Sequence, residues 1–516
     1  MIERTAARVA AALLVLVPFA HGQETPPTSE PSAPGAGAFA VHLSKNVFAE
    51  PFSGQLFVAF GNARSRSEPR RAMHGWVGAP PLLRFDVEGV APDTVLTLRV
   101  ADAAAHHPVD WSEVAPQEWK VQAIARRSLT GREAGLDAGD VYGEPVAITW
   151  SPGGDGVVRL ELDTVAEERP FEETDRMKSF EFTSPALSKF HGFDYVMRAG
   201  VLLPIDWKEG ETYPVVYSVT GFGGTAEGIR GFARRRGEPG VLDRCIVVVP
   251  DASNRWGHSV FCNSRSIGPW GDALVKELIP ALEKRYGGAG AEQRYVTGVS
   301  SGGWSSLWLQ VAYPDAFAGC WSHVPDPIDF HDFQQIDLYD PLPDGSPRNM
   351  YRDEQGAPRP LMRQGEQVVL TYEDFVRREN VTNPGGQIRS FEATFSPLGP
   401  DGTPRRVFDV ATGAIDSEVA KTWEPYDISN LLLTRWDELE PRLDGKIHVY
   451  AGGLDTFYLE GAVERFRALA EPRGLLEHMT IEVVPGMPHQ LYGPGNDDML
   501  RTIEAKLPAL VGAEGH

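Results

Sequence analysis

The sequence predicts an α/β protein with a doubly wound, mostly parallel sheet, preceded by a small N-terminal β-sandwich. Two observations carry this prediction. From about Ser179 onward, continuous apolar runs such as residues 214–219 alternate with stretches of helical periodicity, which is the pattern of a parallel sheet covered on both faces. Before that point, short runs alternate apolar and polar residues between Pro, Gly and Asp, as the strands of a sandwich do.

Length, composition and charge set the limits of this prediction. The chain has 516 residues, of which 42% are hydrophobic and 23% charged, an ordinary composition for a soluble globular protein. This length suggests two or three domains, or one large domain with additions. The formal net charge of −22 repels phosphate backbones and argues against nucleic acid as a partner. Three cysteines, Cys245, Cys262 and Cys320, imply no disulfide framework, although a Cys262–Cys320 bridge stays open.

Residues 1–22 are interpreted as a signal peptide. Two arginines precede an apolar run at 9–19, and Ala20-His21-Gly22 follows it with small residues at the two positions that a signal peptidase reads. An uncleaved anchor is the alternative, but the run is shorter than the roughly 20 residues that span a bilayer. We therefore expect an exported protein, periplasmic or secreted, without stable membrane insertion and with a mature chain that begins near Gln23.

Residues 23–38 are rich in Pro, Thr, Ser, Gly and Ala and predict a linker. Residues 39–170 form the predicted β-sandwich. Its candidate strands lie at residues 55–60, 83–87, 95–100, 119–124, 146–150 and 157–162. This part of the sequence contains no catalytic constellation. His106 and His107 are adjacent, and neighbouring residues of a strand face opposite sides, which argues against a metal pair.

Residues 171–516 form the predicted α/β domain. A strand pair at 180–182 and 195–203 leads into strands at 214–219, 245–249, 294–299, 317–322, 446–451 and 480–484. Helices are predicted at 274–286, after residue 299 as far as Tyr313, at 460–470 and at 498–511. In the first of these helices Pro280 predicts a kink and Gly287 the end.

Residues 325–429 lose this periodicity and are rich in Asp, Pro, Gly and Arg. The segment is too long for a plain connection in a compact domain. We interpret it as an insertion with some structure of its own.

The candidate nucleophile lies in Gly298-Val299-Ser300-Ser301-Gly302-Gly303, between a predicted strand and a predicted helix. This is the context of a G-x-S-x-G elbow, in which glycines allow a strained turn that exposes the serine hydroxyl. Ser300 is the middle of the five-residue motif. A motif centred on Ser301 would lack its first glycine. The following helix supplies amide dipoles for a developing negative charge.

A serine nucleophile needs a base that is held by an acid. In this fold the order along the chain is Ser, then Asp or Glu, then His. Asp455 follows the strand at 446–451, and His489 follows the last strand. Both therefore lie at the sheet edge that Ser300 occupies. Asp455 is the predicted acid and His489 the predicted base, with Asp326 and Asp329 as rival acids.

An oxyanion hole needs two backbone N–H groups that point at one atom. Ser301 should supply one, as the residue after the nucleophile. The loop after strand 214–219 should supply the other. That loop contains Phe222, which we favour, and Gly223, which is the alternative.

Two further groups of residues are candidates for the pocket. Trp256, Trp270 and Trp304 are candidate pocket walls or core residues, and Tyr458, beside the predicted acid, is a candidate substrate contact. A second group has a ligand-like spacing and consists of His323, Asp326, Asp329, His331 and Asp332. We interpret this group as a polar rim of the site and predict neither a metal nor a cofactor.

Residues 214–492 resemble the bacterial "putative esterase" branch of the α/β-hydrolases, which is similar to the enterochelin-esterase and esterase D group. The matching residues are Val249-Pro250-Asp251, Trp270-Gly271-Asp272, Gly298 to Trp304, Asp455 to Leu459 and Pro488-His489. The resemblance implies a carboxylic-ester hydrolase with Ser300, Asp455 and His489 as its triad. Two features depart from the pattern: Thr220-Gly221-Phe222 replaces the His-Gly-Gly of many lipases, and the insertion is larger than in a minimal member.

The sequence thus favours an exported serine esterase that acts on a small-molecule or polymer-linked ester. A peptidase or acyltransferase on the same scaffold is an alternative, and so is a non-catalytic binding protein, against which the intact triad order argues. We expect part of residues 325–429 to cover the pocket and to set substrate preference. We also expect the N-terminal domain to do no chemistry, so that a chain starting near Glu172 keeps its rate on a small ester. The sequence leaves the oligomeric state open.

Overall fold

The computed structural model describes residues 36–151, 154–234 and 240–507. The predicted signal peptide and most of the predicted linker lie outside these residues. Within them, no helix is both long enough and apolar enough to cross a membrane. Cys245, Cys262 and Cys320 are all buried free thiols, so the bridge left open by the sequence is not formed.

The first part of the described chain consists of strands, with one short α-helix and two single-turn 3₁₀ segments. Its helix is α1 (Pro69–Ala72), and its strands are β1 (Ala36–Leu43), β2 (Phe52–Asn62), β3 (Leu82–Val90), β4 (Val95–Arg99), β5 (Ala105–His107), β6 (Glu118–Arg126), β7 (Val141–Tyr142), β8 (Val146–Thr149), β9 (Gly156–Leu162) and β10 (Thr164–Val165).

These strands form two sheets. One has the order β4-β1-β9, and the other has the order β10-β7-β6-β2-β3-β5 with β8 paired to β6. Phe39 of β1 and Leu160 of β9 share one buried core with Leu56 and Phe60 of β2. The buried faces of the two sheets therefore meet, as alternating apolar positions on each strand require.

The second part of the chain alternates strands and helices. Its strands are β11 (Met177–Thr183), β12 (Val196–Leu202), β13 (Val215–Val219), β14 (Ile246–Pro250), β15 (Ser253–Asn254), β16 (Gly257–His258), β17 (Asn263–Ser264), β18 (Gly268–Pro269), β19 (Arg294–Val299), β20 (Gly319–His323), β21 (Pro360–Gln364), β22 (Gln367–Thr371), β23 (Ile447–Gly452) and β24 (Met479–Val484). Its helices are α2 (Pro185–His191), α3 (Ile229–Ala233), α4 (Trp270–Asp272), α5 (Ile279–Tyr286), α6 (Ser301–Ala312), α7 (Tyr372–Thr382), α8 (Gln387–Phe395), α9 (Ser417–Lys421), α10 (Ile428–Leu443), α11 (Glu460–Ala470) and α12 (Gly493–Lys506).

The central sheet of this part has the order β11-β12-β14-β13-β19-β20-β23-β24. The pairs β11–β12 and β12–β14 are antiparallel, and every other neighbouring pair is parallel. All five residues of β14 are buried, which explains why the sequence shows an apolar run there rather than an alternation. The carboxyl ends of the parallel strands share one edge, where open α/β sheets build their sites.

The helix around Pro280 differs from the sequence prediction. Residues Ala273–Leu278 form a π-helical segment, and α5 then begins at Ile279 with Pro280 in its first turn. Proline has no N–H to donate to the preceding turn, and the wider turn before it accommodates the missing donor. Gly287 ends the helix at a φ of 84°. The last helix begins at Gly493, earlier than the predicted 498.

The insertion is part of the main core. The hairpin β21–β22 and the helices α7, α8 and α9 lie within the predicted residues 325–429. Phe375 of α7, Phe391 and Phe395 of α8 and Trp423 belong to the same buried cluster as the strands of the central sheet. The insertion therefore packs as a wall of the domain.

The N-terminal domain also touches the insertion, through the loop between α7 and α8. Side chains of the second sheet donate hydrogen bonds to backbone carbonyls of that loop and of the last turn of α7. The bonds are Gln55 Nε2 to Asn383 O at 2.8 Å, Arg84 Nη1 to Asn380 O at 2.9 Å and Arg126 Nη1 to Pro384 O at 2.5 Å. The loop that leads into α8 is thus held by strands of the N-terminal part of the chain.

Candidate active site

Ser300 lies on a strained turn between β19 and α6, with a φ of 60° and a ψ of −127°. Such a backbone costs energy in a residue other than glycine and persists only where the surroundings enforce it. A Cβ on Gly298 would lie 2.1 Å from Gly302 O, and a Cβ on Gly302 would lie 2.1 Å from Val219 O. The glycines of the motif are therefore required by packing, and they bring Ser300 to the edge of the sheet.

Asp455 and His489 are hydrogen-bonded to each other beyond the ends of β23 and β24. His489 Nδ1 donates to Asp455 Oδ2 at 2.7 Å. The other carboxylate oxygen accepts from Phe457 N at 2.8 Å, and Asp455 is fully buried. Because the bond to the carboxylate places a proton on Nδ1, Nε2 of His489 is left as an acceptor.

Ser300 and His489 line one cavity of about 260 Å³. Among the residues that the structure describes, no hydrogen bond joins the two side chains directly. Bonds between a nucleophile and its base are often long without substrate and tighten when it binds. The structure therefore brings together the predicted nucleophile and base, with the predicted acid behind the base.

The rival acids are placed differently. Asp329 accepts hydrogen bonds from His331 N at 3.0 Å and Ser429 Oγ at 2.8 Å and does not line the cavity. Asp326 does line the cavity, but its Oδ2 accepts from Ser301 Oγ at 2.5 Å rather than from His489. Asp455 is the carboxylate that holds the imidazole.

Asp326 has an unusual environment. Burial raises its pKa to about 6, although the hydrogen bond from Ser301 and the nearby imidazole of His489 act in the opposite direction. Gln387 Nε2, from α8, lies 3.1 Å from Ser301 Oγ and 3.4 Å from Asp326 Oδ2. The sequence named Asp326 only as a rival acid, and the structure places it in a network beside the nucleophile.

The predicted oxyanion loop lies against Ser300. A Cβ on Gly221 would lie 3.3 Å from Ser300 Cβ, and Gly221 and Phe222 both line the cavity. Ser301 is the first residue of α6, and the first amides of a helix have no partner within the helix. Gly223, the alternative donor, has a φ of 88° and is not among the residues that line the cavity.

The cavity walls are mainly aromatic and come from separate parts of the chain. Trp76 comes from the N-terminal domain and Phe457 from the loop of the predicted acid. The other apolar wall residues are Phe222, Leu361, Phe375, Ile388 and Phe391, and Gln334 and Gln387 contribute amides. The sequence signal for two of them was their position beside predicted site residues: Phe222 was named only for its amide, and Phe457 follows Asp455 by two residues.

The predicted substrate contacts Trp304, Trp256 and Tyr458 do not line the cavity. Trp304 is 1% exposed and stacks on Trp308 with ring centroids 5.5 Å apart. It lies one helical turn beyond Ser300, on the face of α6 that packs into the core. Trp256 packs under the guanidinium of Arg389, 5.1 Å away. Tyr458 is covered by Arg363 at 4.2 Å, and its neighbour Phe457 lines the cavity instead. Trp270, the third tryptophan that the sequence offered as a pocket wall or core residue, is also buried.

The ligand-like group of five residues is not one cluster in space. His323 is buried with its ring stacked on Tyr450, and Asp326 lies in the cavity. His331 Nδ1 instead lies 3.2 Å from Asp337 Oδ2. Only part of the predicted polar rim, Asp326, reaches the site.

Arg363 of β21 makes contacts that no sequence motif predicted. Its Nε donates to Asp455 O at 2.8 Å, and its backbone N donates to Thr456 O at 2.9 Å. Its Nη2 pairs with Glu460 Oε1. The hairpin of the insertion therefore clamps the loop that carries the predicted acid.

Comparisons with known proteins add the following. The family described as "Putative esterase" matches residues 191–499. No curated protein matches the chain. Among solved structures, a ferulic acid esterase has a TM-score of 0.38 at 14% identity and covers 64% of this chain and 98% of its own. A fluorophosphonate-binding serine hydrolase of Staphylococcus aureus has a TM-score of 0.37 at 13% identity, covering 64% and 97%. An S-formylglutathione hydrolase from Agrobacterium tumefaciens has a TM-score of 0.36 at 15% identity, covering 64% and 95%.

Proposed function

Because the chain belongs to the "Putative esterase" family of carboxylic-ester hydrolases, we propose that Ser300, His489 and Asp455 form its catalytic triad. The observation that carries the proposal is the 2.7 Å bond from His489 Nδ1 to Asp455 Oδ2, beside a strained Ser300 that lines the same cavity as His489. A buried acid, an oriented base and an exposed hydroxyl are the three parts that serine esterases need.

In the proposed mechanism, Ser300 Oγ attacks the ester carbonyl while His489 Nε2 takes its proton. Asp455 keeps the imidazole in the tautomer with the proton on Nδ1 and stabilises the imidazolium that forms. The imidazolium then gives its proton to the leaving alcohol as the C–O bond breaks, which leaves an acyl-enzyme. Water attacks that ester with His489 as the base, and the carboxylic acid is released.

The oxyanion of each tetrahedral intermediate needs two donors. We assign these to the backbone N–H groups of Ser301 and Phe222. Support comes from the position of Ser301 at the start of α6 and from the contact of the Gly221–Phe222 loop with Ser300. One such donor typically contributes about 3–4 kcal/mol to stabilisation of the transition state.

The setting of the enzyme is a further part of the proposal. Export to the periplasm or medium is supported by the sequence pattern of residues 1–22, which lie outside the described residues. N-terminal sequencing of the native protein should return a chain that begins near Gln23, and a chain that begins at Met1 would contradict export. We also infer that residues 39–170 form a β-sandwich accessory domain, since two sheets share one core there.

The triad is tested with a fluorophosphonate probe, which reacts with activated serines. The wild-type chain should be labelled at Ser300 and should hydrolyse p-nitrophenyl acetate. Ser300→Ala should lose both the label and at least about 10⁴-fold of kcat. Ser301→Ala is the matched control, because it removes the neighbouring hydroxyl and leaves the amide; it should still be labelled. Labelling that follows Ser301 instead, or no ester turnover by the wild type, would overturn the proposal.

A further inference from the structure

Trp76 belongs to the N-terminal domain but lies in the wall of the catalytic cavity. Its ring is 4.9 Å from that of Phe375, 5.8 Å from that of Phe457 and 6.1 Å from that of Phe222, measured between centroids. These three partners come from the insertion, the loop of the acid and the oxyanion loop. One side chain of the N-terminal domain thus contacts three separate parts of the chain that line the same cavity as Ser300.

The segment before Trp76 is anchored on both sides. Met73 is buried in a small core together with Val381 of α7, and its carbonyl accepts from Arg378 Nη2 at 2.8 Å. His74 Nε2 lies 3.0 Å from Ala134 O. Trp76 is therefore held in the cavity wall by contacts to its own domain and to the insertion.

We propose that Trp76 is a specificity-determining residue, through which the N-terminal domain selects esters that carry a compact, apolar group without negative charge. This inference rests on the proposed function, since it concerns the substrate of the same site. It leaves the N-terminal domain without a chemical step, as the sequence led us to expect, but gives that domain a part in the wall of the active site.

The chemistry of the walls defines this substrate class. Seven of the fourteen lining residues are Trp, Phe, Leu or Ile, no Lys or Arg is among them, and the carboxylate there is Asp326. Apolar walls favour apolar groups in proportion to the area buried, and a carboxylate repels a substrate carboxylate inside a low-dielectric pocket. A volume of about 260 Å³ lies just below the roughly 300–1,000 Å³ of drug-sized pockets, so the bound group is compact.

The test uses the full chain and two series of esters. In one series the acyl chain of p-nitrophenyl esters grows from acetyl to hexanoyl, and in the other the alcohol of acetate esters grows. The variants are Trp76→Ala, Trp76→Phe and the control Val77→Ala. Val77 is the next residue, 44% exposed, and does not line the cavity. The amount of active enzyme in each sample is counted by fluorophosphonate labelling.

The quantity compared is the ratio of kcat/KM for the preferred ester to kcat/KM for the smallest ester. In at least one series, Trp76→Ala should lower this ratio by at least about tenfold, because loss of wall contacts in an apolar pocket weakens discrimination by that order. Trp76→Phe should give an intermediate ratio, and Val77→Ala the wild-type ratio. Wild type should also prefer p-nitrophenyl pentanoate to the p-nitrophenyl monoester of glutaric acid, which adds a carboxylate.

Two results would overturn the inference. The first is an unchanged ratio in both series for Trp76→Ala. The second is an equal loss on every ester, which would mean that Trp76 only supports the fold. Equal rates for the pentanoate and the glutarate would overturn the charge preference. Failure of the proposed function would be seen in a different variant. In that case Ser300→Ala would keep its turnover or its label, whatever the ratios measured for the Trp76 variants.

Discussion

Two buried carboxyls near Ser300 differ in their surroundings. Asp455 is paired with His489 Nδ1 and with a backbone amide. Asp326 bonds to Ser301 Oγ, and burial raises its pKa to about 6. The same type of side chain therefore has two different roles: in the proposed triad Asp455 orients the base, whereas Asp326 joins the start of α6 to Gln387 of the insertion.

The first prediction separates these two residues. Asp455→Asn should lower kcat on p-nitrophenyl acetate by about 10⁴-fold, because an amide in that position favours the wrong imidazole tautomer. Asp326→Asn keeps a hydrogen-bonding side chain beside Ser301 and should cost at most about tenfold, since a group that does not bind the base contributes only indirectly. Steady-state kinetics on both variants checks this. A larger loss of kcat for Asp326→Asn than for Asp455→Asn would show that Asp326, which follows β20, is the acid instead.

The second prediction concerns stability and pH. A carboxyl with a pKa of about 6 in the folded chain and 3.8 as its ordinary value binds its proton more tightly when folded, so its charge destabilises the fold above pH 6. The penalty disappears as the pH falls through 6 towards 4, and it amounts to about 3 kcal/mol. Asp326→Asn should therefore gain up to that amount over wild type at pH 8 and almost none of it at pH 4.

Urea unfolding of both chains at the two pH values measures this difference, and other titrating groups cancel in the comparison. A gain of the same size at both pH values, or a gain confined to pH 4, would contradict the assigned environment of Asp326.

At the scale of single residues, the sequence predicted the groups whose positions depend on local sterics. The glycines around Ser300 are needed because neighbouring backbone leaves no room for a Cβ, and such a demand leaves a local motif. The cavity walls leave no such pattern. Trp76 and Phe391 reach the site only through the packing of a second domain and an insertion, while Trp304, close to Ser300 in sequence, faces the core.

At the scale of elements, the strands and the order of the site residues follow from the buried apolar runs. The insertion shows where that reasoning ends, since its residues carry no strong periodicity. Its hairpin β21–β22 places Arg363 against the backbone of Asp455 and Thr456. Its helices carry Phe375, Phe391 and Gln387 into the cavity. The insertion therefore contributes walls to the cavity, and removing it would disturb the acid loop.

The third prediction tests the clamp. Arg363→Ala should lower kcat by about tenfold or more with a smaller change in KM, because displacement of a catalytic group costs rate more than binding. Arg352→Ala is the control on the same insertion: Arg352 pairs with Glu373 and is 43% exposed, and surface ion pairs contribute only about 0–1 kcal/mol. The kinetics of both variants on p-nitrophenyl acetate decide the matter, and equal effects of the two substitutions would show that Arg363 is only a structural residue.

The fourth prediction tests the turn between β19 and α6. Gly302→Ala would place a Cβ 2.1 Å from Val219 O, and overpacking of this kind destabilises by about 1–3 kcal/mol or more. The substitution should also remove most activity, because the turn must shift. Gly231→Ala in α3 is the control, since nothing lies within 4 Å of its Cβ position and alanine favours a helix by about 1 kcal/mol. Thermal unfolding and ester turnover of both variants measure these effects. If Gly302→Ala behaved like Gly231→Ala in both measurements, the turn would tolerate a Cβ at residue 302.

At the scale of the whole molecule, the N-terminal domain contributes to the catalytic cavity and contacts the insertion. It supplies Trp76 to the cavity, and its Gln55, Arg84 and Arg126 bind the last turn of α7 and the loop between α7 and α8. The sequence could not show this, because each of these residues has the pattern of an ordinary polar or aromatic residue in a strand or turn. The contact arises only when two separately predicted domains pack together.

The last prediction concerns a chain that starts near Glu172. The sequence alone suggested that it would keep its rate on a small ester, and the structure gives a physical reason to expect otherwise. One carbonyl in the last turn of α7 and two in the loop that follows it would lose their donors, and Phe375 and Phe222 would lose the ring that contacts them. Loss of a hydrogen bond costs about 0.5–1.5 kcal/mol, and the loop leads directly to Gln387, which bonds to Ser301 Oγ.

We therefore expect the shortened chain to have a lower Tm than the full chain and a lower kcat/KM on p-nitrophenyl acetate than Trp76→Ala in the full chain, because it loses the support of the loop in addition to the ring. Calorimetry and kinetics on the two proteins, with fluorophosphonate labelling to count active sites, make the comparison. A shortened chain that matches the full chain in both Tm and acetate turnover would show that the loop and α8 hold their places unaided, and that the N-terminal domain acts on the substrate through Trp76 alone.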